Sequence, residues 1–295
     1  MQQLDFFDAA STSSNLPYTW DHAVARWTQE QSHKASLKTD LMHFRWLDPF
    51  LTGRQLHAID RAMVEKIRQA KIDSGASNAT VNRVLALLRS VLRRACIDWE
   101  WLTKVPYFRL LKEPTRRIRF LTKDEAIKLL QELPPHLSDM AAFTLATGLR
   151  RANVTGLQWE QVNLTLRQAW IHPDQAKARK PIAVPLNNDA FTIVAKQHGK
   201  HRTHVFSYEG KPITQASTAA WYKALKRCGI ENFRWHDLRH TWASWHAQAG
   251  TPLFVLQELG GWESAEMVRR YAHLSISHLA TYANSLTGLT NSKLL

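Results

Sequence analysis

Cysteine is scarce in this chain of 295 residues: Cys96 and Cys228 are the only two. They stand far apart and form no CxxC, so a zinc site has no thiol support and reduced core thiols of a cytoplasmic protein are expected. Acidic residues are also few, 25 Asp and Glu against 39 Lys and Arg, a formal charge of +14. That surplus speaks against an acidic, solvating chain and is the footprint of a phosphate-binding surface. No stretch approaches the roughly 18 uncharged apolar residues of a membrane span, and the start MQQLDFFDAASTSS lacks a basic region followed by an apolar run. A soluble protein inside the cell is therefore expected, without membrane partners. Internal repeats and low-complexity tracts are missing as well.

What is present is a globular composition, 44% hydrophobic, enough to bury a core in one large domain or two ordinary ones. Residues 1 to 15 are polar and rich in Ser and Thr and read as a flexible arm. From 16 to 111 the pattern is helical almost throughout, with helices expected near 19–31, 36–50, 57–73 and 78–97. In the last, Val84, Leu88, Val91, Leu92 and Ala95 keep helical spacing, while Arg89 and Arg93 fall four apart on another face. Those arginines read either as a solvated face or, given the total charge, as DNA contacts.

The segment 112–120 breaks this periodicity with Pro114 among charges and reads as a linker. Thr122-Lys-Asp-Glu125 then has the form of a capping box that opens a new helix. A second domain over 121–295 is expected to be mainly α with a small antiparallel β-sheet. Its helices lie near 123–132 and 136–146, and a hairpin pairs Gln168 to His172 with Pro181 to Leu186.

Four segments of this second part carry chemistry. In Ala146-Thr-Gly148-Leu-Arg150-Arg-Ala-Asn153 a helix stops at Gly148 and the turn presents Arg150, whose guanidinium can fork onto two phosphate oxygens. In His236-Asp-Leu-Arg239-His240 the first histidine and Arg239 share a helix face and can reach one small anion. Metal binding by His236 and His240, four apart, is the rival reading, but the acid of HExxH is missing and no third ligand is evident. Leu259-Gly260-Gly261-Trp262 leads through a further helix to Tyr271, which Arg269, Arg270 and His273 flank. Positive charge so placed is expected to favour the phenolate. Lys177 and Lys180 precede the second strand of the hairpin and would ride on its tip. Singly, each segment also reads as ordinary: a helix junction, a packed tyrosine, a solvated loop.

Taken together and in this order, the four segments resemble the catalytic signature of the tyrosine recombinases, the phage integrase family: TGLR, a hairpin lysine, HxLRH, then LGxW or LGxH with a tyrosine nine residues on. The likeness is strong over 118–285, and 16–111 fits the helical, SAM-like core-binding domain that precedes it in the family. The resemblance implies that Arg150 and Arg239 bind the scissile phosphate, His236 handles a proton as base toward the phenol, and Tyr271 is the nucleophile. Lys177 would be the hairpin lysine and general acid, with Lys180 as the fallback. Arg89, Arg93 and Lys180 are the further DNA-binding candidates. Trp262 replaces the usual histidine; its indole donates one hydrogen bond or buttresses Tyr271 but cannot shuttle a proton. Asn153 stands where an acid is common and would hold the Arg150 turn through local hydrogen bonds.

The same resemblance implies site-specific cutting and rejoining of double-stranded DNA through a 3′-phosphotyrosyl link, with no metal, ATP or cofactor. Four protomers would act on two synapsed duplexes, a solution monomer staying open, and a carboxy-terminal helix around 277–286 would dock on a neighbour. The setting would be the cytoplasm of a bacterial or phage-infected cell. Relaxation of supercoils in the manner of type IB topoisomerases, a silent DNA-binding regulator on the same fold, and a metal-dependent nuclease using His236 and His240 are the alternatives.

Overall fold

The computed structural model describes residues 18–114, 119–175, 180–274 and 283. The chain forms two compact units, Met1–Arg116 and Arg117–Leu295. The amino-terminal arm, Lys177 and nearly all of the segment 277–286 lie outside the described residues.

The first unit is built from α1 (Trp20–Glu30), α2 (Leu37–Leu51), α3 (Arg61–Asp73) and α4 (Asn78–Ile97). Three starts are set by side-chain caps: Thr19 accepts from the His22 amide, Asp60 from Met63 and Ser77 from Thr80. The third helix starts later than periodicity alone suggests. A 3-10 turn, Leu56–Ala58, comes first, and Asp60 then begins α3 because its carboxylate reaches the orphan amide at Met63. Along α4, Val81, Val84, Leu85, Leu88, Val91, Leu92 and Ala95 are fully buried, whereas Arg89 and Arg93 are exposed. Glu30 joins α1 to the end of α4 by accepting from Arg26, Arg94 and the Trp99 indole.

The second unit opens with α5 (Lys123–Glu132), where the capping box forms: the Glu125 amide donates to Thr122 Oγ1, and the Thr122 amide to Glu125 Oε2. Next comes α6 (Pro135–Thr147), buried on almost every side through Leu137, Met140, Ala141, Phe143 and Leu145. A helix apolar all round belongs at the centre. It packs against α5, α8 (Asn188–Gln197) and α10 (Asp237–Gln248). Gly148 closes α6 with φ +66°, after which the short α7 (Arg151–Thr155) follows.

Strands β1 (Val162–Asn163), β2 (Gln168–Ile171) and β3 (Ile182–Pro185) form one antiparallel sheet in that order, with Ile171 opposite Ile182 and Gln168 opposite Pro185. Ala169, Ile171, Ile182 and Val184 face the core in strict alternation. A small hairpin, β4 (Ser207–Tyr208) and β5 (Lys211–Pro212), precedes α9 (Ala219–Cys228). The unit continues through α10, α11 (Leu253–Gly260) and α12 (Glu266–Arg269) to Tyr271. The two thiols are free and half-buried, each packed against the hydrophobic core of its unit. Among the described residues no helix is long and apolar enough to cross a membrane.

Candidate active site

Two glycine turns and one helix end create a cavity of about 230 Å³, lined by Arg150, His236, Arg239, Trp262 and Tyr271 together with His240, Met267 and Arg270. Three of the four segments, 121 residues apart from Arg150 to Tyr271, thus meet in one place.

The first turn depends on Gly148. Its left-handed backbone ends α6 two residues before Arg150, and a Cβ there would lie 2.2 Å from the Trp242 ring on α10. Arg150 then caps α7 in extended conformation, with its Nη1 buried and unpartnered. A buried guanidinium donor without a partner is costly, so this group is able to receive an anion. Burial also lowers its pKa below the ordinary arginine value.

Arg239, 3% exposed, links the two turns. Nη1 donates to the Gly148 carbonyl at 2.6 Å and Nη2 to the Gly260 carbonyl at 2.5 Å. Its guanidinium carbon lies 4.1 Å from the centre of the Trp262 ring. Only two of the five N–H donors of an arginine are used in these bonds, so donors remain for a phosphate. Burial, and then the like charge of Arg150, brings its pKa down to about 9. An entering anion relieves both penalties.

At the second turn Gly260 ends α11, and a Cβ on it would sit 2.0 Å from the Trp262 ring. The absence of a side chain lets the indole lie flat against the turn. Trp262 also packs 6.0 Å from both Trp242 and Tyr271, ring to ring. Of the two roles open to it, the buttress is the one visible in these contacts.

Tyr271 is 1% exposed and its hydroxyl lies 2.6 Å from His240 Nδ1. His236, expected as the base toward the phenol, is the residue preceding α10 and lines the same cavity, its ring perpendicular to that of His240 at 5.1 Å. The expected phenolate is corrected. Burial outweighs the attraction of Arg239 and Arg270 and pushes the Tyr271 pKa up to about 12, so the resting phenol is neutral. Burial, and next the charge of Arg239, lowers His236; burial and His236 bring His240 down to about 4.

Asn153 is buried, but its bond is not local as expected: Nδ2 donates to the Gln175 carbonyl, 22 residues away, at 3.0 Å. Gln161 holds the Gln175 side chain at 2.8 Å. Together they tie the start of the β2–β3 connection to α7, two residues before Lys177, which itself lies outside the described residues. Lys180 is exposed ahead of β3. Among the described residues no three His, Cys, Asp or Glu side chains cluster as metal ligands, and His240 Nδ1 is engaged by Tyr271. His240 was weighed in the sequence only as a ligand. Its signal was there in the four-residue spacing that puts it beside His236.

Residues 119–278 match the model of the phage integrase family. The chain is 37% identical to the integrase of Salmonella phage P22 over 92% of its own length and 80% of that protein's. It is 32% identical to the integrase of Haemophilus phage HP1 over 68% of its length, spanning 58% of that relative. Among solved structures, a lambda integrase dimer bound to a core site shares the fold with TM-score 0.72 at 20% identity, over 85% of this chain and 97% of that one. The Tn1549 transposon integrase in complex with transposon right end DNA gives TM-score 0.73 at 17% identity, over 92% and 100%.

Proposed function

Because this chain belongs to the phage integrase family, the site-specific recombinases that cut and rejoin DNA, we propose that Tyr271 attacks a scissile phosphodiester held by Arg150 and Arg239. The observation that carries this reading is the convergence of both arginines, His236, Trp262 and the buried phenol on one cavity. In the step proposed, the Tyr271 oxygen bonds to phosphorus, the bond to the 5′-oxygen breaks, and a 3′-phosphotyrosyl link with a free 5′-hydroxyl results. The phosphoester energy is kept, so rejoining by a 5′-hydroxyl from a second duplex needs no ATP. The two guanidiniums neutralise charge that accumulates on the non-bridging oxygens, in a site dry enough to make that interaction strong. His236, which lines the same cavity, donates to the same phosphate, and Lys177 is assigned to protonate the leaving 5′-oxygen.

DNA is the partner, and the protein acts as an oligomer on it; four protomers on two synapsed duplexes are the arrangement proposed. Arg89 and Arg93 on the exposed face of α4, and Lys180 at the hairpin, are proposed to contact the DNA backbone. The residues 16–111 serve as the core-binding domain in this reading, and the reaction takes place in the cytoplasm of a bacterial or phage-infected cell.

The test uses a nicked duplex that traps the cleaved strand, with EDTA present. Wild type should accumulate a covalent protein–DNA species and Tyr271→Phe none. An adduct formed as well by Tyr271→Phe removes the nucleophile assignment. Trp262→Ala should lower the rate of adduct formation about tenfold, the worth of one desolvated cation–aromatic contact beneath Arg239. Trp262→His should retain much of the wild-type rate, and equal rates in all three proteins would exclude Trp262 from the site.

A further inference from the structure

We propose that His240 is the immediate proton acceptor for the nucleophile, holding the Tyr271 hydroxyl on Nδ1 and taking its proton as the oxygen attacks phosphorus. The inference rests on the reading of Tyr271 as nucleophile. It extends that reading to the second histidine of the HxLRH segment, one turn beyond His236.

Geometry is the first support. The hydroxyl and Nδ1 are 2.6 Å apart, a short bond for a neutral pair, and both side chains line the cavity that holds Arg150 and Arg239. The two rings lie 6.0 Å apart at 44°, so the contact is directed along the hydroxyl and is not a ring stack. His240 is fixed on α10 between His236, against which its ring stands at 88°, and the buried phenol. A side chain so enclosed has a defined orientation.

Electrostatics is the second. From its own helix His240 faces His236, Asp237 and Arg239; from the segment after α12 it faces Arg270 and Tyr271; Arg150 reaches the same cavity from α7. Burial first, then His236, Arg270 and Arg239 against the opposing Asp237, keep the imidazole neutral, and the tautomer protonated on Nε2 leaves the Nδ1 lone pair to accept from the hydroxyl. Such an imidazole is a weaker base than the phenolate, so at rest the proton stays on Tyr271. Two changes reverse that order during attack. The anionic phosphodiester offsets Arg150 and Arg239, which raises the basicity of His240. As the bond to phosphorus forms, the phenol oxygen becomes an ester oxygen and loses its hold on the proton.

The step balances in protons and electrons. The Tyr271 O–H bond breaks and an N–H bond forms on Nδ1; the oxygen pair forms the new bond to phosphorus, and the 5′-oxygen departs with a proton from Lys177. On rejoining, the phenol is the leaving group and His240 returns the proton. His236 is left free to serve the phosphate, which explains why two histidines four residues apart share one cavity.

The experiment measures single-turnover adduct formation by the full chain, on a nicked duplex that the wild type cleaves, across about pH 7 to about pH 9. His240→Phe keeps a ring without an acceptor and should slow the reaction about 10²-fold near neutral pH, the usual worth of a general base, with DNA affinity unchanged within about twofold. Because hydroxide takes over the missing function, the deficit relative to wild type should shrink about tenfold for each pH unit. His240→Asn accepts from the hydroxyl without being basic; it should show the same pH-dependent deficit and guards against a packing defect in the Phe variant. A deficit that stays constant with pH in both variants, or rates within about threefold of wild type near neutral pH, would overturn the proposal. Failure of the underlying reading is distinct: it shows as an adduct in Tyr271→Phe, whatever the His240 variants do.

Discussion

Arg239→Met is expected to lose at least about 10³-fold in adduct formation and to unfold more readily than the wild type. The methionine fills much of the space of the arginine stem but donates nothing. Two buried carbonyls, at Gly148 and Gly260, then lose the bonds of 2.6 and 2.5 Å that join the two glycine turns. Leaving a buried acceptor unpaired costs about 1 to 3 kcal/mol, so a stability loss of a few kcal/mol should appear in denaturant unfolding. The catalytic loss has a separate origin in the missing charge at the phosphate, for which removal of one transition-state donor is worth about 10² to 10³ and removal of a full charge more. Arg239→Lys separates these effects. A single ammonium restores charge but cannot span two turns and lie flat under Trp262, so it should remain at least about 10²-fold slow. Full activity in Arg239→Lys would mean that charge alone matters and that the linked turns do not.

The second large effect is on folding. Gly148→Ala introduces a Cβ 2.2 Å from the Trp242 ring at a residue with φ +66°. The left-handed conformation costs an alanine about 1 to 2 kcal/mol, and overpacking of a filled core typically adds about 1 to 3. A loss of about 2 to 5 kcal/mol is therefore expected. Gly229→Ala is the matched control: φ is +70°, but nothing lies within 4 Å of the added carbon, so only the backbone cost applies. Unfolding midpoints for the pair should differ clearly, and equal losses would show that Trp242 moves aside without cost. Gly148→Ala should also slow cleavage beyond its effect on folding, because the same residue supplies the carbonyl that holds Arg239 and directs the chain into Arg150.

Much of this was legible in the sequence where chemistry is local. The buried stripe of α4, the capping box at Thr122 and Glu125, the stop at Gly148 and the turn at Gly260-Gly261 depend on neighbours within a few residues, and periodicity or turn chemistry reports them. The two-residue strands β1, β4 and β5 were invisible because two residues carry no alternation. The bond from Asn153 to Gln175 crosses 22 residues, and an amide side chain discloses nothing of a distant partner. The order of the motifs singled out Arg150, His236, Arg239, Trp262 and Tyr271, which line one cavity. Their electrostatics were not legible, since charge near Tyr271 can be counted in the sequence while its burial cannot. For the same reason His240 stood out as a possible ligand when its neighbour in space is a phenol 31 residues away.

The central claim is that a single phenol becomes bonded to DNA. The adduct trapped on a nicked duplex can be digested with protease and the DNA-bearing peptide sequenced by mass spectrometry. The peptide containing Met267 to Leu274 should carry one 3′-phosphonucleotide, on Tyr271. A nucleotide found on any other side chain, or cleavage with no protein-linked strand at all, would contradict the account.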